Sequence, residues 1–375
     1  MTTERRVLHV VGRLDPGGVE TWLLHVLRLV DRTRVRMDFL VQTPESAAYD
    51  REVEALGSRV FRLAESPRRP WRYLPSLRNL LLTHGPYHVV HSHVHHFSGL
   101  VLREARRAGV PVRVAHSHLD TRSLDTAAPL GRRLYYTLMR HWIRRHATVG
   151  LAASGLAAEA LYGPRWRDDR RWHVLFCGVD LAAFSKPRER GDARARLGLP
   201  PDVFVVGHVG RFDRQKNHGF LMDIAGALFA ADPGVRLLLI GDGGLRPAIE
   251  RKARAMGIAD RVLTTGVRGD VPDLMTSAMD CFVFPSLYEG LGLAVVEAQA
   301  AGLPCIVADT VPREADVIPG LVTRLSLSEP ASRWARAILA ARNRGLPPAD
   351  AINLIRASPF SIEASTRHLL EIYSL

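Results

Sequence analysis

Short apolar runs alternate along the whole chain with longer segments in which leucine and valine recur every three or four residues. This alternation predicts buried strands separated by amphipathic helices, the pattern of α/β architecture with parallel sheets. In the first half the expected strands are Val7–Val11, Met37–Gln42, Val60–Leu63, His88–His91, Val112–Ala115 and Val149–Ala152. Helices such as Glu20–Val30 and Gly99–Ala108 lie between them. The stretch Trp172–Phe184 carries one more apolar strand, then Cys177-Gly178-Val179-Asp180, and leads to Lys186-Pro187, which together read as a linker. The same rhythm then restarts with Val203–Gly207, Arg236–Ile240, Val262–Thr264, Cys281–Phe284 and Pro304–Val307. The expected organisation is a Rossmann-like, doubly wound domain over residues 1–175, a linker over 176–187, a second such domain over 188–355, and a terminal helix over 356–375. Ligands of doubly wound domains bind beyond the carboxyl ends of the strands, so the segments after each strand hold the candidate chemistry.

A length of 375 residues suits two domains, and 47% hydrophobic with 24% charged residues is the balance of a globular enzyme. No apolar run approaches the ~18 residues of a membrane span. The apolar stretch Val7–Val11 runs straight into Gly12, which fits a buried first strand and not a signal peptide. Cys177, Cys281 and Cys305 are scattered, with no pair at metal-binding or redox spacing, and the expected compartment is the reducing cytoplasm. The net charge of +13 is uneven: residues 1–175 hold 28 Arg against 16 acidic residues, and the remainder is nearly balanced. A preference for arginine explains the choice of Arg over Lys but not this asymmetry. The first half is therefore expected to meet an anionic membrane surface, a phosphorylated lipid or nucleic acid.

Two segments carry the strongest chemical signals. After the strand ending at Gly207 comes His208-Val209-Gly210-Arg211-Phe212-Asp213-Arg214-Gln215-Lys216-Asn217-His218. An Arg fork and a Lys point charge on a loop at a strand end could clamp a diphosphate. In the second segment, Phe284-Pro285 closes a strand, a glycine-punctuated loop holds Glu289, and a helix starting near Gly292 carries Glu297. Amides of Gly290, Leu291, Gly292 and Leu293 could face an anion at that helix start. Carboxylates there could accept hydrogen bonds from sugar hydroxyls or a ribose diol.

Three further segments invite readings of their own. The histidines His88, His91, His93, His95 and His96 suggest a metal, but no carboxylate or thiol neighbours them in sequence, and the expectation is no metal site. The basic, aromatic helix Arg132–Arg145 could bury Tyr135, Leu138, Met139, Trp142 and Ile143 in its own domain, or lie on a membrane with Tyr136 and Trp142 inserted. Gly241-Asp242-Gly243-Gly244 only superficially resembles a dinucleotide fingerprint, since the third spaced glycine is missing.

The Glu289–Glu297 spacing of Glu-x7-Glu, preceded by the Gly210-Arg211…Lys216 loop, resembles the family 4 retaining glycosyltransferases (glycosyl transferases group 1) of GT-B fold. The phrases Val209–His218 and Ser286–Pro304 are most similar to the branch acting in capsule and exopolysaccharide synthesis. The resemblance extends to Gly17-Gly18-Val19-Glu20, to Ala115-His116-Ser117-His118 and to a terminal Phe360…Tyr373 helix, so it spans nearly the whole chain. It implies two Rossmann-like domains facing a cleft, an acceptor-side first domain and a nucleotide-sugar-binding second domain, with the terminal helix packing back towards the first.

The resemblance also implies roles. Arg211 and Lys216 neutralise the donor diphosphate, Glu289 holds hydroxyls of the transferred sugar, and Glu297 holds the ribose. Gly17 and Gly18 admit the diphosphate to the first-domain backbone, and His116, taken to follow its strand directly, sits beside the sugar. His118 and His93 are acceptor-side candidates. The loop Gly266-Val267-Arg268 borders the base through main-chain groups. Cys177 stands where the family usually has Asn, which puts a hinge hydrogen bond in doubt. The expected enzyme is a hexosyltransferase-type, retaining transferase that takes a nucleotide-diphosphate sugar, with uridine as the expected base. It passes the sugar to a saccharide or lipid-linked acceptor without an obligatory metal or other cofactor. Rival readings are an epimerase or phosphorylase on the same fold, or a basic nucleic-acid-binding protein. The last lacks any dense basic run or recognisable module, so no nucleic-acid partner is expected.

Overall fold

The computed structural model describes residues 4–185 and 190–374. Lys186 and Pro187 of the expected linker lie outside them. The chain divides into one unit of Met1–Gly178 with Ile362–Leu375, and a second of Val179–Ser361.

The first unit is built on a seven-stranded parallel sheet of β1 Arg5–Val11, β2 Val35–Val41, β3 Val60–Arg62, β4 Val89–Ser92, β5 Val112–Ser117, β6 Val149–Ala152 and β7 Trp172–Val174. Their order across the sheet is β3-β2-β1-β4-β5-β6-β7. Central strands such as β1 and β4 are buried along nearly their whole length, as strands covered by helices on both faces must be. Leu8, Val10, Leu40, Val90 and Ala115 meet Leu77, Val101, Leu102 and Ile143 of the covering helices in one core. The terminal helix Ile362–Ser374 belongs to this unit, where the Trp22 indole donates to Ser365 Oγ at 2.9 Å and Ser365 Oγ donates to the Phe176 carbonyl at 2.6 Å.

The second unit has a six-stranded parallel sheet of β8 Phe204–Val209, β9 Val235–Ile240, β10 Val262–Thr264, β11 Cys281–Phe284, β12 Cys305–Ala308 and β13 Val322–Leu325. Its order is β10-β9-β8-β11-β12-β13. Strand direction of winding reverses between β8 and β11, so the loops after these two strands flank the switch point at which such sheets bind ligands. The two segments singled out for Arg211–Lys216 and Glu289–Glu297 are those loops.

Two expectations change. Strand β5 extends two residues past Ala115, because His116 and Ser117 keep pairing with Leu151 and Ala152 of β6. His116 is thus a buried strand residue, and His118 is the first histidine beyond the strand. The basic helix runs Leu130–His146 and buries only Met139 and Ile143 fully. Leu130, Leu134 and Leu138 stand 81%, 70% and 44% exposed at successive four-residue steps. Tyr136 instead stacks on His96 at 4.2 Å, and Trp142 lies beneath Arg103 at 4.4 Å, so neither is free to insert into a membrane. Among the described residues no helix is long and apolar enough to cross one.

Candidate functional site

The loop after β8 is held from below by a glycine brace. Gly210 donates to the Ile240 carbonyl and Phe212 to the Asp242 carbonyl, at 3.0 and 2.9 Å. Gly241 and Gly243 have φ of +137° and +157°, and a Cβ on them would lie 2.1 Å from the Gly210 carbonyl oxygen and 2.6 Å from that of Phe212. These glycines let one loop pack backbone-to-backbone on another, which accounts for the Gly-rich segment without a dinucleotide. Phe212, fully buried, stacks on His218 at 4.1 Å and fixes the loop's base. His208 Nδ1 donates to the Val283 carbonyl at 2.9 Å, tying β8 to β11 across the switch point.

On that base the two cations differ. Arg211 is exposed, and its guanidinium has no ion-pair partner among the described residues. Lys216 is half-buried: its Nζ lies 2.6 Å from Glu289 Oε1 and 4.6 Å from the Phe284 ring. Glu289 is buried and also accepts from Gln215 Nε2 at 3.0 Å. Gln215 in turn accepts the Leu287 amide at its carbonyl, 2.8 Å away, so the loops after β8 and β11 are stitched together around one carboxylate. Thr310 Oγ1 donates to the Ser286 carbonyl at 2.6 Å, while Ser286 Oγ is buried without a hydrogen-bond partner among the described residues.

Gly292 caps the helix Leu293–Ala300 at φ +90°, a left-handed conformation, and a Cβ there would stand 3.0 Å from Val311 Cγ1. The first-turn amides of this helix lack partners within the helix and form its positive end. Glu297, one turn further on, is half-buried and makes no ion pair or side-chain hydrogen bond among the described residues. Burial pushes its carboxyl up to about 7, with the Lys216 charge pulling the other way. Gln299 anchors the same helix, donating to the Val295 and Ala315 carbonyls at 3.0 and 2.7 Å and accepting from the Val317 and Ile318 amides. The loop Gly266-Val267-Arg268 lies beside Gly241, whose amide donates to the Gly266 carbonyl at 2.9 Å. The Arg268 guanidinium is taken by Asp270 through bonds of 2.8 and 2.7 Å, and the Val267 side chain between Gly266 and Arg268 is exposed.

In the first unit, Gly17 and Gly18 start the helix Gly18–Leu29 after β1, and a Cβ on Gly17 would lie 2.6 Å from Glu20 Oε2. Trp22 of this helix lies edge-on to His116 at 5.6 Å and within 6.4 Å of His93. The histidines converge far more than expected. His93 Nδ1 is 2.9 Å from His118 Nε2, His93 Nε2 is 3.1 Å from His9 Nδ1, and His116 Nδ1 is 3.1 Å from His91 Nε2. Tyr373 from the terminal helix closes the group, with its hydroxyl 2.7 Å from His91 Nδ1. A thiol is also near, since Cys177 Sγ stands 4.0 Å from His118 Nδ1. Burial keeps these rings neutral, pushing His9 and His118 down to about 3 and His91, His93 and His116 well below the usual value. His95 and His96 stand apart, the latter 3.1 Å from Asp125.

Sequence reasoning missed Gln215, Gln299, His9 and Tyr373. Gln215 adjoins Lys216 in a segment already singled out; His9 and Gln299 are flanked by apolar residues, and Tyr373 lies in an amphipathic helix where it reads as an ordinary core aromatic.

The comparisons fall on the same two halves. The family model described as Glycosyl transferases group 1 matches residues 203–343, and that described as Glycosyl transferase 4-like domain matches 17–178. EpsF of Bacillus subtilis, named as a glycosyltransferase, is 37% identical over 377 residues, covering 100% of this chain and 97% of its own. A D-inositol 3-phosphate glycosyltransferase of Actinosynnema mirum is 34% identical over 77% of this chain and 72% of its own. Among solved structures, HepE of Anabaena in complex with UDP and glucose has a TM-score of 0.81 at 19% identity, covering 99% of this chain and 100% of that one. A sucrose-phosphate synthase from Thermosynechococcus elongatus has a TM-score of 0.77 at 22% identity, covering 99% and 98%. With a relative that matches from end to end and family models that match most of each unit, the chain belongs to the glycosyl transferases group 1 and is a glycosyltransferase of GT-B fold.

Proposed function

We propose that the chain moves a hexosyl group, with retention of configuration, from a UDP-sugar to a saccharide or lipid-linked saccharide in cell-surface polysaccharide synthesis. The observation that carries this reading is the switch point of the second unit. An unpaired guanidinium, an ammonium paired to a buried carboxylate, a helix amino end and an unpartnered carboxylate are gathered there on two stitched loops. Arg211, Lys216 and the amides of Gly290 to Leu293 stabilise the negative charge that grows on the departing diphosphate. Because these groups are fixed before reaction, they favour the transition state over the ground state. Glu289, held between Lys216 and Gln215, takes hydroxyls of the transferred sugar, and Glu297 takes the ribose. Gly17 and Gly18 serve the diphosphate, His116 the sugar, and His93 and His118 the acceptor side. Relatives support the donor class: HepE was solved with UDP, and a relative in Escherichia coli, 31% identical over 61% of this chain, is named as a UDP-Gal galactosyltransferase acting on a diphosphoundecaprenol-linked sugar. Incubating the donor without acceptor and analysing the sugar tests the class of reaction. The donor sugar should be recovered with its stereochemistry unchanged, whereas an epimerised sugar would replace a transferase by an epimerase.

The charge work is done by protein groups, so transfer should need no divalent metal. Excess chelator is expected to leave the rate within about twofold, and full loss restored by Mg²⁺ or Mn²⁺ would contradict this.

Glu297 gives a pH signature. Its carboxyl sits at about 7 in the fold against 4.5 unfolded. Between these values the native state keeps a proton that the unfolded chain has lost, so stability falls as pH rises, by at most about 3 kcal/mol in all. Glu297→Gln should therefore melt above the wild type at pH 8, with the gap closing near pH 4. Ribose hydroxyls donate best to the ionised carboxylate, so UDP affinity should rise more steeply with pH through about 7 in the wild type than in the variant, where only the terminal phosphate's own ionisation contributes. Parallel pH profiles of UDP binding for the two proteins would refute the ribose role.

The first unit is proposed to dock on an anionic membrane at its cytoplasmic face. The helix Leu130–His146 has no acidic residue and exposes Leu130, Leu134 and Leu138 beside Arg132, Arg133 and Arg145. Arg140 and Arg144 are engaged with Asp125 and the Tyr162 carbonyl. Each free arginine contributes about 1 kcal/mol at such a surface. Vesicle sedimentation should show binding to anionic but not neutral lipid, reversed by salt and by changing Arg132, Arg133 and Arg145 together to Ser. Equal binding to both lipids, or to neither, would reject the docking.

A further inference from the structure

Seven side chains of the first unit follow one another in a continuous run of polar contacts: Cys177, His118, His93, His9, Tyr373, His91 and His116. Each neutral imidazole has one donating and one accepting nitrogen, so an unbroken run points one of two ways. In one direction the Cys177 thiol donates to His118 Nδ1, and every histidine carries its hydrogen on Nε2. In the other, every histidine carries it on Nδ1 and the last N–H ends on sulfur. Three observations select the first. The Tyr373 hydroxyl is 2.7 Å from His91 Nδ1 and 3.4 Å from His9 Nε2. The shorter distance is that of an O–H donor, whereas N–H···O bonds centre near about 2.9–3.0 Å. Burial raises the Cys177 thiol well above its ordinary value, so the sulfur keeps its hydrogen and is at best a weak acceptor. Hydrogen on Nε2 is also the tautomer that a free neutral histidine side chain prefers.

This direction leaves one hydrogen over, at the far end of the run. Tyr373 donates to His91 Nδ1, His91 Nε2 donates to His116 Nδ1 at 3.1 Å, and His116 Nε2 is buried with no hydrogen-bond partner among the described residues. A buried donor without an acceptor costs free energy that a bound oxygen recovers. We infer that Tyr373 is a positioning residue that acts through His91 to fix His116 with its hydrogen on Nε2, so that His116 meets the transferred sugar as a hydrogen donor and not as a base. This rests on the proposed place of His116 beside the sugar, and adds that the group it takes there is an oxygen lone pair. The bond made by one nitrogen of an imidazole sets what the other can do, which is how a residue without access to substrate governs one that has it. Tyr373 is itself held firmly. Its ring is 1% exposed, and its carbonyl accepts from Arg5 Nη1 at 2.7 Å. The helix that ends the chain thus supplies the hydroxyl on which the polarity of His116 depends.

Neutron diffraction from deuterated crystals of the full-length chain locates the hydrogen on each ring without any variant. His91 and His116 should both carry it on Nε2, and a hydrogen on Nδ1 of His116 would overturn the wiring. Proton–nitrogen correlation spectra of the histidine-labelled chain read the same nitrogens in solution. Tyr373→Phe removes one oxygen and keeps the ring, so His91 Nδ1 loses its donor and neither tautomer is favoured. His116 should then become a mixture of tautomers, and kcat should fall about tenfold while UDP affinity changes by less than about twofold. An unchanged His116 tautomer in the variant, whatever its stability, would overturn the role of Tyr373. A mixed tautomer with wild-type kcat would instead remove His116 from the sugar, a failure of its proposed place and not of the wiring. If the variant does not fold, the hydrogen positions in the wild type decide.

Discussion

Replacing Arg211 or Lys216 by alanine is expected to lower kcat by roughly 10²–10³, the loss typical of removing one preorganised charge-stabilising donor. The two should differ in their side effects. Arg211 is exposed and unpaired, so Arg211→Ala should fold and melt as the wild type does. Lys216 is the counterion of Glu289 at 2.6 Å, so its loss leaves a buried carboxylate with only Gln215 as partner. Breaking such a pair from one side costs about 3–5 kcal/mol when fully buried, and less here because Lys216 is partly open to water. Lys216→Ala should therefore lose stability as well as rate. Steady-state kinetics beside thermal melts separate the two effects. A near-normal kcat in folded Arg211→Ala would remove it from the leaving-group machinery.

The second large effect belongs to Glu289→Gln. The substitution keeps the shape and one acceptor oxygen but removes the charge that holds Lys216 Nζ and Gln215 Nε2. A neutral amide grips sugar hydroxyls less well than a carboxylate, since hydrogen bonds to an ionised acceptor are about twice as strong. The rate should fall by about 10²-fold and discrimination among donor sugars should relax, while UDP binds almost as before because its ribose and diphosphate contacts remain. Loss of UDP affinity with unchanged sugar preference would move Glu289 from the sugar to the nucleotide.

Arg211, Lys216, Glu289 and Glu297 were legible in the sequence because each follows an apolar strand whose end can be read, and the sheet order then places both loops at the switch point. Their pairing was not legible. Lys216 and Glu289 are 73 residues apart, and only the parallel adjacency of β8 and β11 brings them together. Strand ends were misread where polar residues continue the ladder, as His116 and Ser117 do on β5. Strand β13 gave no apolar run, because Thr323 and Arg324 interrupt it and it is only half-buried. His9 and Tyr373 escaped notice for the same reason that they matter. Both side chains are buried among apolar neighbours, His9 within Val7–Val11 and Tyr373 beside Ile372, where a polar ring is invisible until its partners arrive from other strands and from the far end of the chain.

Real-time proton NMR of a UDP-hexose with the full-length enzyme and a saccharide acceptor tests the central claim most directly. The donor's axial anomeric signal should decay as a new glycosidic signal of the same configuration grows, with one UDP released for each bond formed and both processes slowed by roughly 10²–10³ in Arg211→Ala. An inverted anomeric signal, or UDP release without a glycosidic product, would contradict it.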